Sequence, residues 1–201
     1  MQPKPHKGDA LVQQFLEMMA AERGASANTL AAYARDLADF CAYMRQKKKQ
    51  ANSINRAEIE RFLASLSSEL SPQTVARKLS AIRQFFAFLY TDNIRRDNPA
   101  ATLEAPRLAK RLPKTLTQAD AAALISAALG DDSPKGIRLQ AMLELMYGGG
   151  LRVSELVSLL LSALQLKGLS RVEAEFLLVS GKGGKERLVP VSAKAREALS
   201  R

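Results

Sequence analysis

The 201-residue sequence contains only one cysteine and one histidine. The single cysteine, Cys41, excludes an internal disulfide. It shares a helical spacing with three apolar residues: Leu37, Phe40 and Met44. This pattern predicts a buried structural thiol rather than a nucleophile. The histidine, His6, lies in a polar, proline-flanked segment. With so few of these side chains, a metal site built from cysteine and histidine is excluded, and no metal is expected.

Long apolar runs are also missing. No stretch approaches the ~18 consecutive apolar residues that a membrane-spanning helix needs. Residues 1–8 contain no apolar run of the signal-peptide type and predict a flexible tail. We therefore expect a cytoplasmic protein with no membrane partner.

The charge is strongly positive, with 30 Lys and Arg against 20 Asp and Glu, a net charge of +10. Cations cluster at residues 45–49 and 107–114. Such clusters favour a polyanionic partner, and nucleic acid is preferred over a membrane surface. The alternative is that the charge only keeps the protein soluble. The hydrophobic share of 47% is that of an ordinary globular protein.

Four helical patterns occur before residue 96, and each carries an apolar stripe at helical spacing. Residues suited to the N-cap precede the second, third and fourth patterns: Ser26, Asn55 and Ser71. We expect one compact helical domain over residues 9–95. The stripe of the fourth helix consists of Val75, Leu79, Ile82, Phe86 and Leu89.

The opposite side of the fourth helix is predicted to carry Arg77, Ser80, Ala81 and Gln84. A helix in the DNA major groove needs small residues for close approach, amides or hydroxyls for base edges, and a cation for phosphate or guanine. This face contains all three and is a candidate DNA-contact surface. A merely solvated face is the alternative.

Residues 96–116 combine prolines with basic side chains. Pro106 and Pro113 disfavour a continuous helix, so the segment predicts an extended basic linker between two domains. Such a linker can lie along the DNA backbone or remain solvated.

Residues 117–201 begin with helical patterns and then change to strand patterns. Two β-rich runs flank a tip that contains Gly183 and Gly184, which predicts a β-hairpin. Ser192 offers an N-cap for a last helix. Helices are expected over 117–129, 137–147 and 153–159, and strands over 175–180 and 186–192.

Five motifs occur in one order along the chain. They are residues 29–37, residues 77–90, Asn98-Pro99 with residues 111–114, residues 150–156 (Gly-Leu-Arg-Val-Ser-Glu-Leu) and residues 181–187 (Gly-Lys-Gly-Gly-Lys-Glu-Arg). Together they resemble an Xer-type tyrosine recombinase of the phage integrase family. The resemblance covers nearly the whole chain after its tail.

The resemblance implies a mainly α fold. An N-terminal four-helix SAM-like core-binding domain over residues 9–95 precedes the basic linker. Residues 117–201 are then the first part of an α+β tyrosine-recombinase catalytic domain with a small β-hairpin, incomplete relative to the family.

In that family a tyrosine attacks a DNA phosphodiester and forms a 3′-phosphotyrosyl link, which is later resealed on a partner strand through a Holliday junction. No metal or other cofactor is implied. Arg152 matches the arginine that holds nonbridging phosphate oxygens, a task that suits a planar cationic fork. Lys182 matches the lysine that protonates the departing 5′-oxygen.

Other interpretations of these motifs remain open. Arg152 can instead form a salt bridge with Glu155, and Lys185 and Arg187 can touch either phosphate or acidic neighbours. The glycines before Leu151 are expected to loosen the approach to Arg152. The residues predicted to contact DNA are Arg35, Arg77, Lys78, Ser80, Gln84, Arg111, Lys114, Lys185 and Arg187.

The family's nucleophilic tyrosine and His-x-x-Arg motif have no counterpart in the sequence. All four tyrosines, Tyr33, Tyr43, Tyr90 and Tyr147, precede Lys182. We therefore expect DNA binding without cleavage by this polypeptide alone. A stable tetramer is not expected without the family's C-terminal helix.

The resemblance implies a role in site-specific DNA recombination, either chromosome dimer resolution or DNA integration. The expected partners are a double-stranded recombination site and a sister recombinase. The alternatives are a stand-alone DNA-binding or regulatory protein and a non-functional remnant of a recombinase gene.

Overall fold

The computed structural model describes residues 7–106, 115–160, 163, 175–181 and 184–201. These residues form two compact units, one before and one after the segment 107–114. The predicted DNA contacts Arg111 and Lys114 fall in that segment and lie outside the described residues. No helix among the described residues is long and apolar enough to cross a membrane.

The first unit consists of four helices: α1 (Lys7–Ala21), α2 (Ala27–Gln46), α3 (Arg56–Leu66) and α4 (Pro72–Thr91). Ser26, Asn55 and Ser71 each accept a backbone N–H three residues later, so these predicted N-caps are confirmed. Asn55 and Glu58 form the predicted capping box. Lys7 and Gly8 already belong to α1, which corrects the expectation of a tail over residues 1–8.

The core of the first unit is built around phenylalanine. Phe15, Phe40, Phe85 and Phe86 are fully buried. Phe85 contacts both Phe15 and Phe86 through edge-to-face ring pairs, with centroids 5.8 and 5.5 Å apart. Because Phe85 and Phe86 are neighbours on α4, this helix is buried on two sides. Cys41 is also buried, as its helical spacing predicted.

Burial on two sides of α4 corrects one prediction about its surface. Ala81, expected on the DNA-contact face, has no exposed area, because it belongs to the core. The apolar stripe predicted for α4 is confirmed, since its five residues are all buried.

Part of the segment expected to be a linker packs on the first unit. Ala100 and Leu103 are buried in its core. Arg56 Nη1 donates to Thr102 Oγ1 at 2.8 Å, and Arg83 donates to the carbonyl oxygen of Leu103. The packed part of this unit therefore extends past residue 95.

The second unit contains α5 (Gln118–Ala128), α6 (Pro134–Gly149), α7 (Val153–Val157), β1 (Phe176–Ser180), β2 (Glu186–Pro190) and α8 (Ala193–Ser200). The two strands pair antiparallel, with Leu177 opposite Val189 and Val179 opposite Arg187. The predicted hairpin is therefore confirmed. Ser133 caps α6, so this helix begins three residues before the expected Ile137.

The core of the second unit is smaller and lies between α6, α7, α8 and the inner face of the hairpin. Its buried residues are Leu145, Leu151, Leu156, Leu177, Val179, Val189, Val191 and Ala195. The described residues are mainly helical with one small hairpin, in agreement with the predicted fold class.

Candidate functional site

The turn between α6 and α7 places Arg152. Gly150 has φ +60°, a left-handed conformation that ends α6, and its N–H donates to Met146 O at 2.9 Å. Leu151 is buried in the core, and Arg152 then occupies the N-cap position of α7 with an extended backbone. The side chain of Arg152 is 67% exposed.

The glycines before Leu151 have a structural reason. A Cβ on Gly149 would lie 2.6 Å from Val189 Cγ1, and one on Gly148 would lie 3.2 Å from Ser192 Oγ. The end of α6 thus contacts β2 and the start of α8 through bare backbone. Gly148 and Gly149 therefore allow close packing, and the expected loosening of the approach to Arg152 stays a prediction.

Glu155 is the buried centre of the site, with its side chain 4% exposed. Its Oε1 accepts hydrogen bonds from Arg152 Nη1 at 2.9 Å and from Arg187 Nη1 at 2.8 Å. Its Oε2 accepts from Arg187 Nη2 at 2.8 Å and from the backbone N of Arg152 at 2.9 Å. Arg187 therefore pairs bidentately with Glu155, and both carboxylate oxygens have two donors.

These donors stabilise the ionised carboxylate. The hydrogen bonds from Arg187 are the main cause that holds the pKa of Glu155 well below its usual range, and the backbone N–H of Arg152 adds to them. Burial opposes this lowering. The pKa of Arg187 is raised in turn by its bonds to Glu155. Glu155 and Arg187 are therefore both charged at neutral pH.

The hairpin tip lies next to this cluster. Gly181 N donates to Lys185 O at 2.7 Å, and a Cβ on Gly181 would lie 3.2 Å from Arg187 Nη1 and 3.4 Å from Glu155 Oε1. Lys185 is exposed. Lys182, predicted as the general acid, lies outside the described residues.

The predicted DNA contacts of the first unit lie along the seam between α2 and α4. Arg77 pairs with Asp36 and is 43% exposed, while Asp36 is 1% exposed. Lys78 Nζ lies 3.2 Å from Asp36 Oδ1 and 2.5 Å from Asp39 Oδ2, and its side chain is 6% exposed. Lys78 is therefore a buried structural cation rather than a DNA contact, which corrects the prediction from sequence.

The other residues predicted on this seam contact α2 or the turn that precedes it. Ser80 Oγ lies 3.3 Å from the Tyr33 hydroxyl, and Gln84 Oε1 accepts from Arg23 Nη1 at 2.5 Å. Arg35 is exposed and donates from Nε to Ala31 O. We call Arg35, Arg77, Ser80 and Gln84, with Arg23, the α2–α4 seam.

Sequence reasoning missed Asp36 and Arg23. Asp36 lies within the apolar stripe of α2, next to the buried Leu37, and a carboxylate in such a stripe is a signal for a buried ion pair. Nothing in the sequence near Arg23 indicates its partner, because Gln84 is 61 residues away. In the described part of the chain, no three acidic, histidine or cysteine side chains lie together as a metal site would require.

Comparison with protein families decides where this chain belongs. Residues 12–93 match the phage integrase N-terminal SAM-like domain, and residues 114–201 match the phage integrase family model. The chain belongs to the phage integrase family.

Curated relatives in this family carry recombinase names. "Tyrosine recombinase XerD" of Rhizobium meliloti (strain 1021) is 43% identical over 197 residues, which cover 94% of this chain and 61% of the relative. "Tyrosine recombinase XerC" of Erythrobacter litoralis (strain HTCC2594) is 45% identical over 196 residues, covering 96% and 60%. The chain thus spans about 60% of the length of these phage integrase family relatives.

Solved structures with the phage integrase fold superpose on this chain. A lambda integrase tetramer bound to a Holliday junction gives a TM-score of 0.71 at 18% identity, covering 95% of this chain and 52% of that chain. The XerH site-specific recombinase bound to palindromic difH substrate gives 0.65 at 19% identity, covering 94% and 55%. These similarities show the fold.

Proposed function

We propose that this chain binds duplex DNA and holds a phosphodiester at Arg152, as the DNA-binding and phosphate-holding part of a site-specific tyrosine recombinase. The observation that carries the proposal is the exposed guanidinium of Arg152, anchored on one side by the buried Glu155. Membership of the phage integrase family and relatives named tyrosine recombinases support it.

The geometry of Arg152 suits a phosphate ligand. Its backbone N and Nη1 are bonded to Glu155, so the side chain is oriented before a ligand arrives. An anchored guanidinium with a solvent-facing edge can donate to nonbridging phosphate oxygens. Such preorganised charge stabilises the additional negative charge of a pentacoordinate phosphate.

Lys185 on the hairpin, and Lys182 by its match to the family motif, are the proposed partners of Arg152. The family motif assigns Lys182 the general-acid role, which stays a prediction. Lys185 is exposed on the same hairpin and can contact backbone phosphate.

The α2–α4 seam is the proposed DNA-contact surface of the first unit. Arg77 and Arg35 supply cations, and Ser80 and Gln84 supply a hydroxyl and an amide that can donate to or accept from base edges. Asp36 holds Arg77 at the surface of the seam. The two residues best placed to combine phosphate and base contacts are Arg77 and Gln84.

Duplex selection with the purified chain tests DNA binding. We expect sequences enriched from a random library to bind more tightly than unselected duplexes, with affinity that falls steeply as salt rises. The double variant Arg77→Ala with Gln84→Ala is expected to lose most of this preference, and Arg61→Ala, an exposed cation on α3, to retain it. Equal binding to selected and unselected duplexes by the unmodified chain would contradict sequence-specific recognition.

A suicide duplex tests the expectation that this polypeptide does not cleave DNA alone. Tyr33 and Tyr43 pack in the first unit, against Ser80 and Phe62, and Tyr147 lines a cleft with residues of α5 and α8. We expect none of the four tyrosines to attack a phosphate held at Arg152. A covalent protein–DNA band on a denaturing gel would overturn that prediction.

A further inference from the structure

Arg187 and Arg152 share one buried carboxylate. Both donate to Oε1 of Glu155, at 2.8 and 2.9 Å, and Arg187 alone adds a second side-chain bond, to Oε2. Two guanidinium groups and one carboxylate leave the cluster with one net positive charge. Because Arg187 makes the bidentate pair, it offsets most of the negative charge of Glu155.

The exposure of the two arginines agrees with their different bonding to Glu155. The side chain of Arg152 is 67% exposed and that of Arg187 is 37% exposed. Among the described residues Arg152 bonds Glu155 through one terminal nitrogen, and two thirds of its side chain is exposed. Arg187 uses both terminal nitrogens on Glu155.

Removal of Arg187 would change the charge that Arg152 presents. Glu155 is 4% exposed and could not turn to solvent, so its charge would fall on Arg152 alone. The pair of Arg152 and Glu155 would be neutral. A bidentate pair, in which both terminal nitrogens of Arg152 donate to the carboxylate, would be the more stable arrangement. Arg152 would then offer neither net charge nor a free edge to a phosphate.

We propose that Arg187 is a positioning residue: it neutralises Glu155 so that Arg152 keeps its charge and a free edge for a phosphate oxygen. This inference rests on the proposed role of Arg152 as a phosphate ligand. It differs from the alternative in which Arg187 itself contacts the DNA backbone.

The backbone of the hairpin supports this arrangement. Gly181 lies against both partners, and a Cβ there would meet Arg187 Nη1 at 3.2 Å and Glu155 Oε1 at 3.4 Å. The bidentate pair thus lies between the hairpin and α7. Gly181→Ala is expected to displace the Arg187 side chain and to weaken phosphate binding in the same direction as loss of Arg187.

The experiment uses the whole 201-residue chain, labelled with 15N-arginine, and a selected duplex as the probe. The Nε–Hε signal of Arg152 is assigned from its loss in Arg152→Lys and is followed during titration. Binding is also measured against salt concentration. The test variants are Arg187→Gln, Glu155→Gln, Arg187→Lys and the double variant Arg187→Gln with Glu155→Gln. The matched control for loss of one hairpin cation is Lys185→Gln, made alone and combined with Glu155→Gln.

We expect Arg187→Gln to weaken binding about tenfold, to lower the salt slope by about 0.9, the value of one phosphate contact, and to abolish the shift of the Arg152 signal. Adding Glu155→Gln removes the unpaired carboxylate, keeps an oxygen acceptor, and is expected to restore both slope and shift. Arg187→Lys should retain part of the binding affinity and of the Arg152 shift, because the positive charge beside Glu155 remains. Lys185→Gln should lower the slope and leave the shift of the Arg152 signal unchanged, with or without Glu155→Gln.

Two results would overturn the inference: an unchanged Arg152 shift in Arg187→Gln, or a loss of binding that Glu155→Gln fails to restore although the chain remains folded by circular dichroism. The second result would assign Arg187 to the DNA backbone. If the unmodified chain binds no duplex, the proposed function fails instead, and titration with inorganic phosphate at the Arg152 signal then decides the role of Arg187.

Discussion

Gly149 and Val189 are in contact through bare backbone: a Cβ on Gly149 would lie 2.6 Å from Val189 Cγ1. This contact joins the end of α6 to the strand that carries Arg187. It also fixes the turn that leads to Arg152, so the packing of two apolar groups determines where two charged side chains meet.

We expect Gly149→Ala to destabilise the second unit by about 1–3 kcal/mol, because the added Cβ would overlap the buried Val189 side chain. Amide exchange of β2 under native conditions measures this free energy of opening. The matched control is Gly130→Ala, where an added Cβ meets nothing within 4 Å, so the change should stay within about 0.5 kcal/mol. Equal effects of the two substitutions would contradict the close contact.

Asp36→Asn is expected to destabilise the first unit by about 3 kcal/mol, since it removes one counter-charge from the buried Lys78. Asp39, the second partner of Lys78, is 61% exposed. Asp39→Asn should therefore cost less than about 1 kcal/mol. Urea unfolding of both variants checks the difference. If Asp39→Asn is the more damaging substitution, Lys78 depends mainly on its exposed partner.

Local signals predicted much of the fold. Ser26, Asn55 and Ser71 marked helix starts because an N-cap needs only the next three residues. The hairpin was visible because strand propensity and a glycine-containing tip occur within one short segment. The apolar stripe of α4 followed from its period alone.

Features that depend on distant partners could not be predicted. Asp36 can be buried because it pairs with Arg77 on α4, 41 residues away, and no local pattern predicts such a distant partner. Ala81 is buried because α4 packs on two sides, whereas a single amphipathic stripe predicts one. The same limit applies to the site. The sequence predicted Arg152 as a phosphate ligand, but for Arg187 it allowed either a phosphate or an acidic partner. The register of the hairpin is what brings Arg187 to Glu155.

The stability of the second unit should depend on pH through Glu155. Its pKa in the folded state is depressed, so its contribution to stability is complete above the ordinary carboxyl value of 4.5 and is lost as the pH falls below it. In that range the unfolded chain binds more protons, so the free energy of unfolding rises with pH. We expect Glu155→Gln to show a shallower slope between about pH 2 and pH 4.5 than the unmodified chain.

Amide exchange of β2 over this pH range, corrected for intrinsic exchange rates, measures the difference. Asp120→Asn is the matched control, because Asp120 is a carboxylate of the same unit whose pKa is lowered by Thr117 rather than by an arginine. Its slope should change less than that of Glu155→Gln. Parallel slopes for Glu155→Gln and the unmodified chain would show that the arginines do not stabilise this carboxylate.

Cys41 should be unreactive while the first unit is folded. Burial is the main cause that raises the pKa of its thiol from 9.0 to about 11, and the charge of Asp9 adds to it. A shift of this size lowers the thiolate fraction at pH 8 roughly 100-fold, and limited access slows alkylation further. Iodoacetamide labelling followed by mass spectrometry is expected to be at least 100-fold slower in buffer than in concentrated urea. Because Cys41 packs beside Phe40 and Met44 in the core, similar rates under both conditions would mean that α2 does not pack as described.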